Sequence, residues 1–297
     1  MKNRKFIVFI NPISGTKNKE QTKIIIEQKL IQADFLYQFL ATEASGKYSF
    51  LKEKVAKENI TDVIICGGDG TINQVCAYLQ HIDVQVGIIP MGSGNGLAFT
   101  AGIPKSPQKA MDVILNGNAS FIDSFLVNNQ FACHNFGVGF DARIAHEFAE
   151  SSNRGPFNYI KLTAKNYFKA KPHSFTINVD NTILEVKAFF VAVLNSNQFG
   201  NSLTIAPKAT LNDGLLDVVI VKKENKFSLF FKLINQLKAG KLATVSDVGR
   251  TFHYFQTKKI TIYNPEKELI HIDGEPMQAM EIIEIEIIKN AFKLIQP

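Results

Sequence analysis

Within residues 1–96, short apolar runs end again and again in glycine-bearing loops. Phe6–Ile10 runs into Asn11-Pro12-Ile13-Ser14-Gly15, Asp62–Cys66 into Gly67-Gly68-Asp69-Gly70-Thr71, and Val86–Pro90 into Met91-Gly92-Ser93-Gly94-Asn95-Gly96. Helical spacing lies between and after them, at Lys17–Gln32, Ser45–Glu58, from the second loop through Leu79, and at Lys105–Leu115; Phe35–Leu40 is a further strand. Strands that alternate with helices predict a parallel sheet covered by helices on its faces. Loops that follow parallel strands collect at one edge of such a sheet, where ligands bind.

Glycines in those loops let the backbone approach a ligand and turn successive N–H groups toward it. The start of the following helix adds partial positive charge, so the loops suit an anion such as phosphate. Asp69 would repel a phosphate unless a cation lay between them, which points to Mg²⁺. The competing reading is a tight turn with Asp69 as a helix cap. Neither G-x-x-x-x-G-K-[ST] nor G-x-G-x-x-G is present, so the P-loop and dinucleotide-binding patterns do not apply.

After about residue 121 the pattern changes. Phe121–Val127, Phe131–Phe136, Phe175–Val179, Val186–Leu194, Leu215–Val221, Lys258–Tyr263, Leu269–Ile272 and Ile282–Ile288 have strand character, and Asn128-Asn129 and Asp180-Asn181 are turn pairs. They predict a second, mostly antiparallel, β-sandwich-like domain, interrupted by helices near Phe157–Ala170 and Phe227–Ala239. The expected organisation is an α/β nucleotide-binding domain over 1–125 and a β-rich domain over 126–297, with a C-terminal tail able to pack back on the first.

A net charge of +6 favours acidic partners, among them nucleotide phosphates and anionic lipid surfaces. No recognised basic motif points to nucleic acid. Cys66, Cys76 and Cys133 show neither disulfide nor zinc spacing, which fits a reducing cytoplasm. The six histidines (His81, His134, His146, His173, His253 and His271) show no metal-ligand spacing. Phe6–Ile10 is too short for a signal segment, and no apolar run of about 18 residues exists to cross a membrane. The expected location is cytoplasmic, with any membrane contact peripheral.

The ordered set Asn11-Pro-x-Ser-Gly15, Thr42-Glu43 with Gly46, Gly67-Gly-Asp-Gly-Thr71, Gly92-Ser-Gly-Asn95, Leu211-Asn-Asp-Gly214 and Asp273-Gly-Glu275 resembles the diacylglycerol kinase catalytic-domain family. That family includes bacterial lipid kinases and sphingosine kinases. The resemblance implies ATP-dependent phosphorylation of a membrane lipid hydroxyl, and it leaves room for a homodimer. It implies an ATP site lined by Asn11, Pro12, Ser14, Gly15, Thr42, Gly67, Gly68, Asp69, Gly70, Thr71, Asn73, Gly92, Ser93 and Asn95, with Asp123 at the junction. It implies catalytic roles for Asp273, Glu275 and Asp69, and a structural Mg²⁺ on Asp213 with backbone oxygens near Thr210 and Leu215. Three positions depart from the pattern. Gly96 stands where many bacterial diacylglycerol kinases have an acid, Phe99 replaces a basic residue, and Asn212 replaces the first acid of Asp-Asp-Gly. Gly96 leaves a sphingoid-base or ceramide kinase as an alternative. An NAD kinase shares the glycine-aspartate loop, and a catalytically silent lipid- or nucleotide-binding module is a further alternative.

Read from spacing alone, Asp273-Gly274-Glu275 is either a pair of acids on one face of a strand or a hairpin turn, since Asp-Gly is a common hairpin pair. His271, two residues before Asp273, would share that face in a structural role. Lys161, Lys165, Lys169 and Lys171 recur beside Phe157, Tyr159, Tyr167 and Phe168. They form either a basic and aromatic helix face for an anionic bilayer or a solvated face on a core-packed helix.

Overall fold

A computed structural model describes residues 4–15, 18–151, 156–167, 169–198, 205–206, 208–222 and 252–297. The helix expected over Phe227–Ala239 lies outside them. The chain forms two compact units, Met1–Asp123 with Lys289–Pro297, and Ser124–Ile288.

In the first unit, β1 (Lys5–Ile10) pairs in parallel with β2 (Leu36–Ala41) on one side and β3 (Asp62–Gly67) on the other, and β4 (Gln85–Pro90) pairs in parallel with β3. The end of the last strand, β15 (Ile282–Gln296), adds a further parallel pairing at Lys293↔Gln85 and Leu294↔Val86. β3 is buried along its whole length, as a strand covered on both faces must be. The helices are α1 (Lys19–Gln32), α2 (Leu51–Glu58), α3 (Asp69–Cys76), α4 (Gly96–Thr100) and α5 (Pro107–Asn116). Arg4 ties this layer together. It pairs with buried Asp62 at 2.5 Å and donates to the Ile114 and Leu115 carbonyls at the end of α5.

The second unit is antiparallel. β5 (Asn118–Val127) enters it and turns through Asn128-Asn129 into β6 (Gln130–Ala132). After β7 (Asn135–Gly139) come α6 (Phe140–Glu150) and α7 (Pro156–Tyr167). The remaining strands are β8 (His173–Val179), β9 (Thr182–Leu194), β10 (Leu216–Lys222), β11 (Phe252–Thr257), β12 (Lys259–Tyr263), β13 (Ile270–Ile272), β14 (Glu275–Met277) and the first part of β15. The pairing order is β14-β13-β7-β9-β8-β12-β15, with β10 joining β9 and β11 joining β10. Two apolar clusters fill it, one around Phe125, Phe136 and Phe175, the other around Phe189, Leu194 and Val219. Asn128-Asn129, Asp180-Asn181 and Asp273-Gly274 all take positive φ at both positions, the geometry that two-residue hairpin turns need.

Several expected boundaries move for local reasons. The helix expected from Ser45 begins at Leu51, because Gly46 turns at φ 68° and the Tyr48 hydroxyl accepts the Glu43 amide, so the preceding segment is a loop. The helix after Gly68 ends at Cys76 and closes in turns through Leu79. The strand expected over Phe131–Phe136 is broken at Cys133-His134. α6 and β11 were not expected, and β15 runs eight residues past Ile288.

Candidate functional site

The three glycine-bearing loops of the first unit touch one another. The Asn11 side-chain amide donates to Thr71 Oγ1 at 2.8 Å, and the Asn11 backbone amide to the Cys66 carbonyl at 2.9 Å. Gly15, at φ 51°, lies so close to the third loop that a Cβ there would fall 1.9 Å from the Met91 carbonyl oxygen. A Cβ on Gly92 would fall 2.5 Å from the Gly68 Cα, so the second and third loops meet backbone to backbone. A Cβ on Gly94 would lie 2.9 Å from Asp69 Oδ2, which puts that carboxylate against the third loop. Asn95 is buried in the left-handed region and closes its loop itself, accepting the Gly92 amide and donating to the Gly92 carbonyl, both at 2.7 Å.

The neighbouring residues shape the rim. Ser14 Oγ donates to the Asn11 carbonyl, and Lys19 Nζ donates to the carbonyls of Ser14 and Gly15. The loop from Thr42 is held by the Tyr48 hydroxyl and rests at Gly46 against Gln74. A cavity of about 260 Å³ opens beside Pro12, lined by Ile10, Lys19, Lys23, Phe39 and Leu40. Gly70 and Asn73 lie in the first turns of α3, and half-buried Ser93 lies in the third loop. Burial pushes the Cys66 thiol up, so it is no nucleophile despite its place at the loop. Backbone amides at the start of an eight-residue helix, two lysines at the rim and one carboxylate facing the third loop suit a phosphate chain carrying a divalent cation.

The acids of the second unit are arranged differently. Ile272 pairs with Glu275 across β13 and β14, so Asp273-Gly274 is a two-residue hairpin turn, at φ 51° and 83°. The expectation that both acids alternate on one strand face is therefore corrected. The buried Asp273 carboxylate turns back onto the break between β6 and β7. Its Oδ2 accepts the Cys133 amide at 2.7 Å, and its Oδ1 accepts the His134 and Asn135 amides at 2.9 Å each. That break exists because these amides point to a carboxylate rather than to a strand. Glu275 begins β14 and is exposed. His271 does not share Asp273's direction either. Its ring lies between the Gly274 amide and Asp141 of α6, 3.2 Å from each.

Asp141 escaped the sequence reading, although its signal was present. Gly137-Val138-Gly139-Phe140-Asp141 repeats the strand–glycine–acid order of the Asp69 loop. Asp123 is buried on β5 and accepts the Asn290 amide at 2.8 Å.

Asp213 is exposed in a turn where its Oδ1 accepts the Leu215 amide at 3.0 Å; Thr210 is exposed nearby in sequence. The neighbouring acid, Asp217, is buried and takes the Tyr254 hydroxyl instead. Burial, then the charge of Asp213, pushes Asp217 up to about 6, and the Tyr254 phenol is raised by burial and by Asp217. Among the described residues, the group that brings three ligand atoms within 4.8 Å of one another is His173, Glu266 and Glu268.

α7 ends at Tyr167, so Lys161 and Lys165 are exposed on it while Lys169 and Lys171 follow it. Its tyrosines face inward. Tyr159 packs on Phe148 and Tyr167 on Phe140. The expected aromatic stripe is thus core packing at these two positions, and Ile160 is the exposed apolar residue. The side chains of Phe157 and Phe168 lie outside the described residues. No helix among the described residues is long and apolar enough to cross a membrane.

Residues 5–127 match the family model described as the diacylglycerol kinase catalytic domain, and residues 135–296 match the YegS C-terminal NAD kinase beta sandwich-like domain. The chain is 30% identical over 241 residues to a "Probable lipid kinase YegS-like" protein of Citrobacter koseri, covering 79% of this chain and 77% of the relative. It is 27% identical over 275 residues to the diacylglycerol kinase of Bacillus subtilis, covering 90% and 88%. A crystal structure of a diacylglycerol kinase from Bacillus anthracis matches with a TM-score of 0.77 at 21% identity, covering 100% of this chain and 98% of that one. That likeness speaks for the fold, an α/β domain followed by a β-rich one.

Proposed function

The chain belongs to the lipid kinase family built from a diacylglycerol kinase catalytic domain and a YegS-type C-terminal domain, and from that premise we propose that it transfers the γ-phosphoryl group of ATP to a hydroxyl of diacylglycerol or a closely related lipid. The observation that carries the reading is the close approach of Gly68 to Gly92 with Asp69 against the third loop. Phosphoryl transfer depends on positioning and charge neutralisation more than on covalent help from the protein. In this reading the amides of Gly67–Thr71 and Gly92–Ser93 hold the phosphates, and Asn11, Ser14, Gly15 and Thr42 form the rim. Mg²⁺, when bound, would neutralise phosphate charge, and Asp69 is the side chain that would hold it. Exposed Glu275 takes the proton of the acceptor hydroxyl, and Asp273, its oxygens held by the Cys133, His134 and Asn135 amides, orients the turn beside it. Asp123 holds the start of the segment that leads to them, and Asp213 with the Thr210 and Leu215 carbonyls is the candidate structural Mg²⁺ site. Exposed Ile160, Lys161 and Lys165 on α7 support peripheral contact with an anionic membrane from the cytoplasmic side.

The test offers radiolabelled ATP and Mg²⁺ with diacylglycerol, monoacylglycerol, ceramide, a sphingoid base or NAD as acceptor. Label in phosphorylated diacylglycerol is expected. Label confined to ceramide or sphingoid phosphates would change the acceptor, and label in phosphorylated NAD would overturn the lipid reading. Asp69→Asn should remove most of the turnover while leaving the fold intact, because it removes a charge and little volume. Near-normal turnover in the folded variant would reject the metal-holding role.

A further inference from the structure

The Asp273-Gly274 turn is gripped from α6 by a buried pair that the proposed chemistry does not use. Asp141 and His271 are each 3% exposed. A backbone amide can only donate, so the Gly274 N–H beside His271 Nδ1 at 3.2 Å requires a bare Nδ1. The proton of the neutral ring is then on Nε2, which lies 3.2 Å from Asp141 Oδ2, an acceptor. Both hydrogen bonds demand the same tautomer. The packing is close as well. A Cβ on Gly137 would fall 1.9 Å from Asp141 Oδ2 and 2.6 Å from His271 Nε2, so this strand must carry glycine there. Asp141 Oδ1 is buried with no hydrogen-bond partner among the described residues. Burying an acid on one good bond costs stability, which argues that the pair is kept for a reason other than packing. α6 grips β13 a second time, where His146 Nε2 donates to the Ile270 carbonyl at 3.0 Å.

We propose that Asp141 and His271 are positioning residues. Asp141 selects the His271 tautomer whose Nδ1 accepts the Gly274 amide, and that bond fixes the turn that holds Asp273 against the β6–β7 break and leads into exposed Glu275. The logic is that of a carboxylate holding an imidazole in one orientation, applied here to a backbone amide rather than to a nucleophile or a metal. The proposal rests on the reading of Glu275 as the base and of Asp273 as the acid that orients its turn.

Two amide substitutions divide the ring's functions. His271→Asn places an acceptor near the Nδ1 position and loses the donor to Asp141; His271→Gln keeps a donor near the Nε2 position and loses the acceptor for Gly274. His271→Gln should lower kcat about tenfold to a hundredfold, the scale of a small misplacement of reacting groups, with KM for ATP little changed. It should also speed amide exchange across residues 273–275. His271→Asn should retain more turnover than His271→Gln, and Asp141→Asn, which keeps an acceptor oxygen, more than Asp141→Leu. The ¹⁵N imidazole spectrum of the wild-type chain should show His271 bare at Nδ1 and protonated at Nε2. A protonated Nδ1, or wild-type kcat in His271→Gln and Asp141→Leu with only thermal stability lowered, would overturn the proposal. If the wild-type chain phosphorylates no lipid, the functional reading falls, while the tautomer and exchange measurements still decide whether the pair holds the turn.

Discussion

The glycine loops and the Asp273 hairpin both sit where strands end, yet they hold polar groups in opposite ways. In the first unit the side chains withdraw. Gly15, Gly68 and Gly92 leave room for backbone to approach backbone, and the amides can turn to a ligand. In the second unit a side chain gathers the backbone. Asp273 collects the amides of Cys133, His134 and Asn135 from about 140 residues away in sequence. A site made of backbone tolerates few added atoms; a site made of buried side chains tolerates few changes of charge. That difference sets what each kind of substitution should do.

The largest effects should come from the hairpin acids. A positioned general base contributes about 10²–10⁴-fold, so Glu275→Gln should lower kcat on that scale, and Asp273→Asn, which loosens the turn that carries Glu275, should lower it too, both with KM for ATP nearly unchanged. The two should differ in stability. Asp273→Asn removes the negative charge from three charge-assisted bonds and should lower the melting temperature, whereas exposed Glu275 should leave it in place. Equal thermal stability for the two variants would break the comparison, and wild-type turnover in both would reject the catalytic assignment.

The converse substitution tests the other side. Gly92→Ala places a Cβ 2.5 Å from the Gly68 Cα and must push the two loops apart. It should raise KM for ATP and leave lipid-vesicle binding unchanged. Unaltered nucleotide affinity would show that the loop contact does not build the phosphate site.

A smaller effect concerns pH. Asp217, held up at about 6, binds a proton more tightly folded than unfolded. Stability from this group is therefore greatest below the unfolded carboxylate value, about 4, and is lost as pH rises through about 6. Asp217→Asn should flatten the pH dependence and stabilise the second unit at pH 8 by up to about 3 kcal/mol. An unchanged slope in melting temperature between pH 4 and 7 would remove Asp217 as its source.

The smallest effect should be at the surface. Changing Lys161 and Lys165 to Gln should weaken binding to anionic vesicles by about 1 kcal/mol each if both lie at the bilayer. Lys169→Gln, beyond the helix end, should matter less. Equal partition of all variants at low salt would reject this surface.

The parallel sheet was legible because it repeats a local pattern, an apolar run, a glycine loop and then a helix, three times within contiguous stretches of chain. The loop residues were legible for the same reason. The break at Cys133-His134 was not, because its cause is a carboxylate far along the chain. α6 was not read either, although Phe140–Glu150 is amphipathic with Ala142, Ile144 and Ala145 buried; its glycine-rich entry reads as the continuation of a strand. Asp273-Gly274 was legible as one of two things, an acid site or a hairpin turn. The backbone forms the turn, and the carboxylate is buried within it.

The sequence by itself determined what nearest neighbours decide: the alternation of strands and helices, the turns at Asn128-Asn129 and Asp180-Asn181, and the family signature carried by short ordered motifs. Tertiary structure alone decided which polar groups meet. Asp273 faces the β6–β7 break, Asp141 faces His271, and the tyrosines of α7 face the core. Periodicity reports which way a side chain points relative to its own backbone. It carries no information about which donor or acceptor waits there, because that partner comes from a distant segment that folding brings alongside.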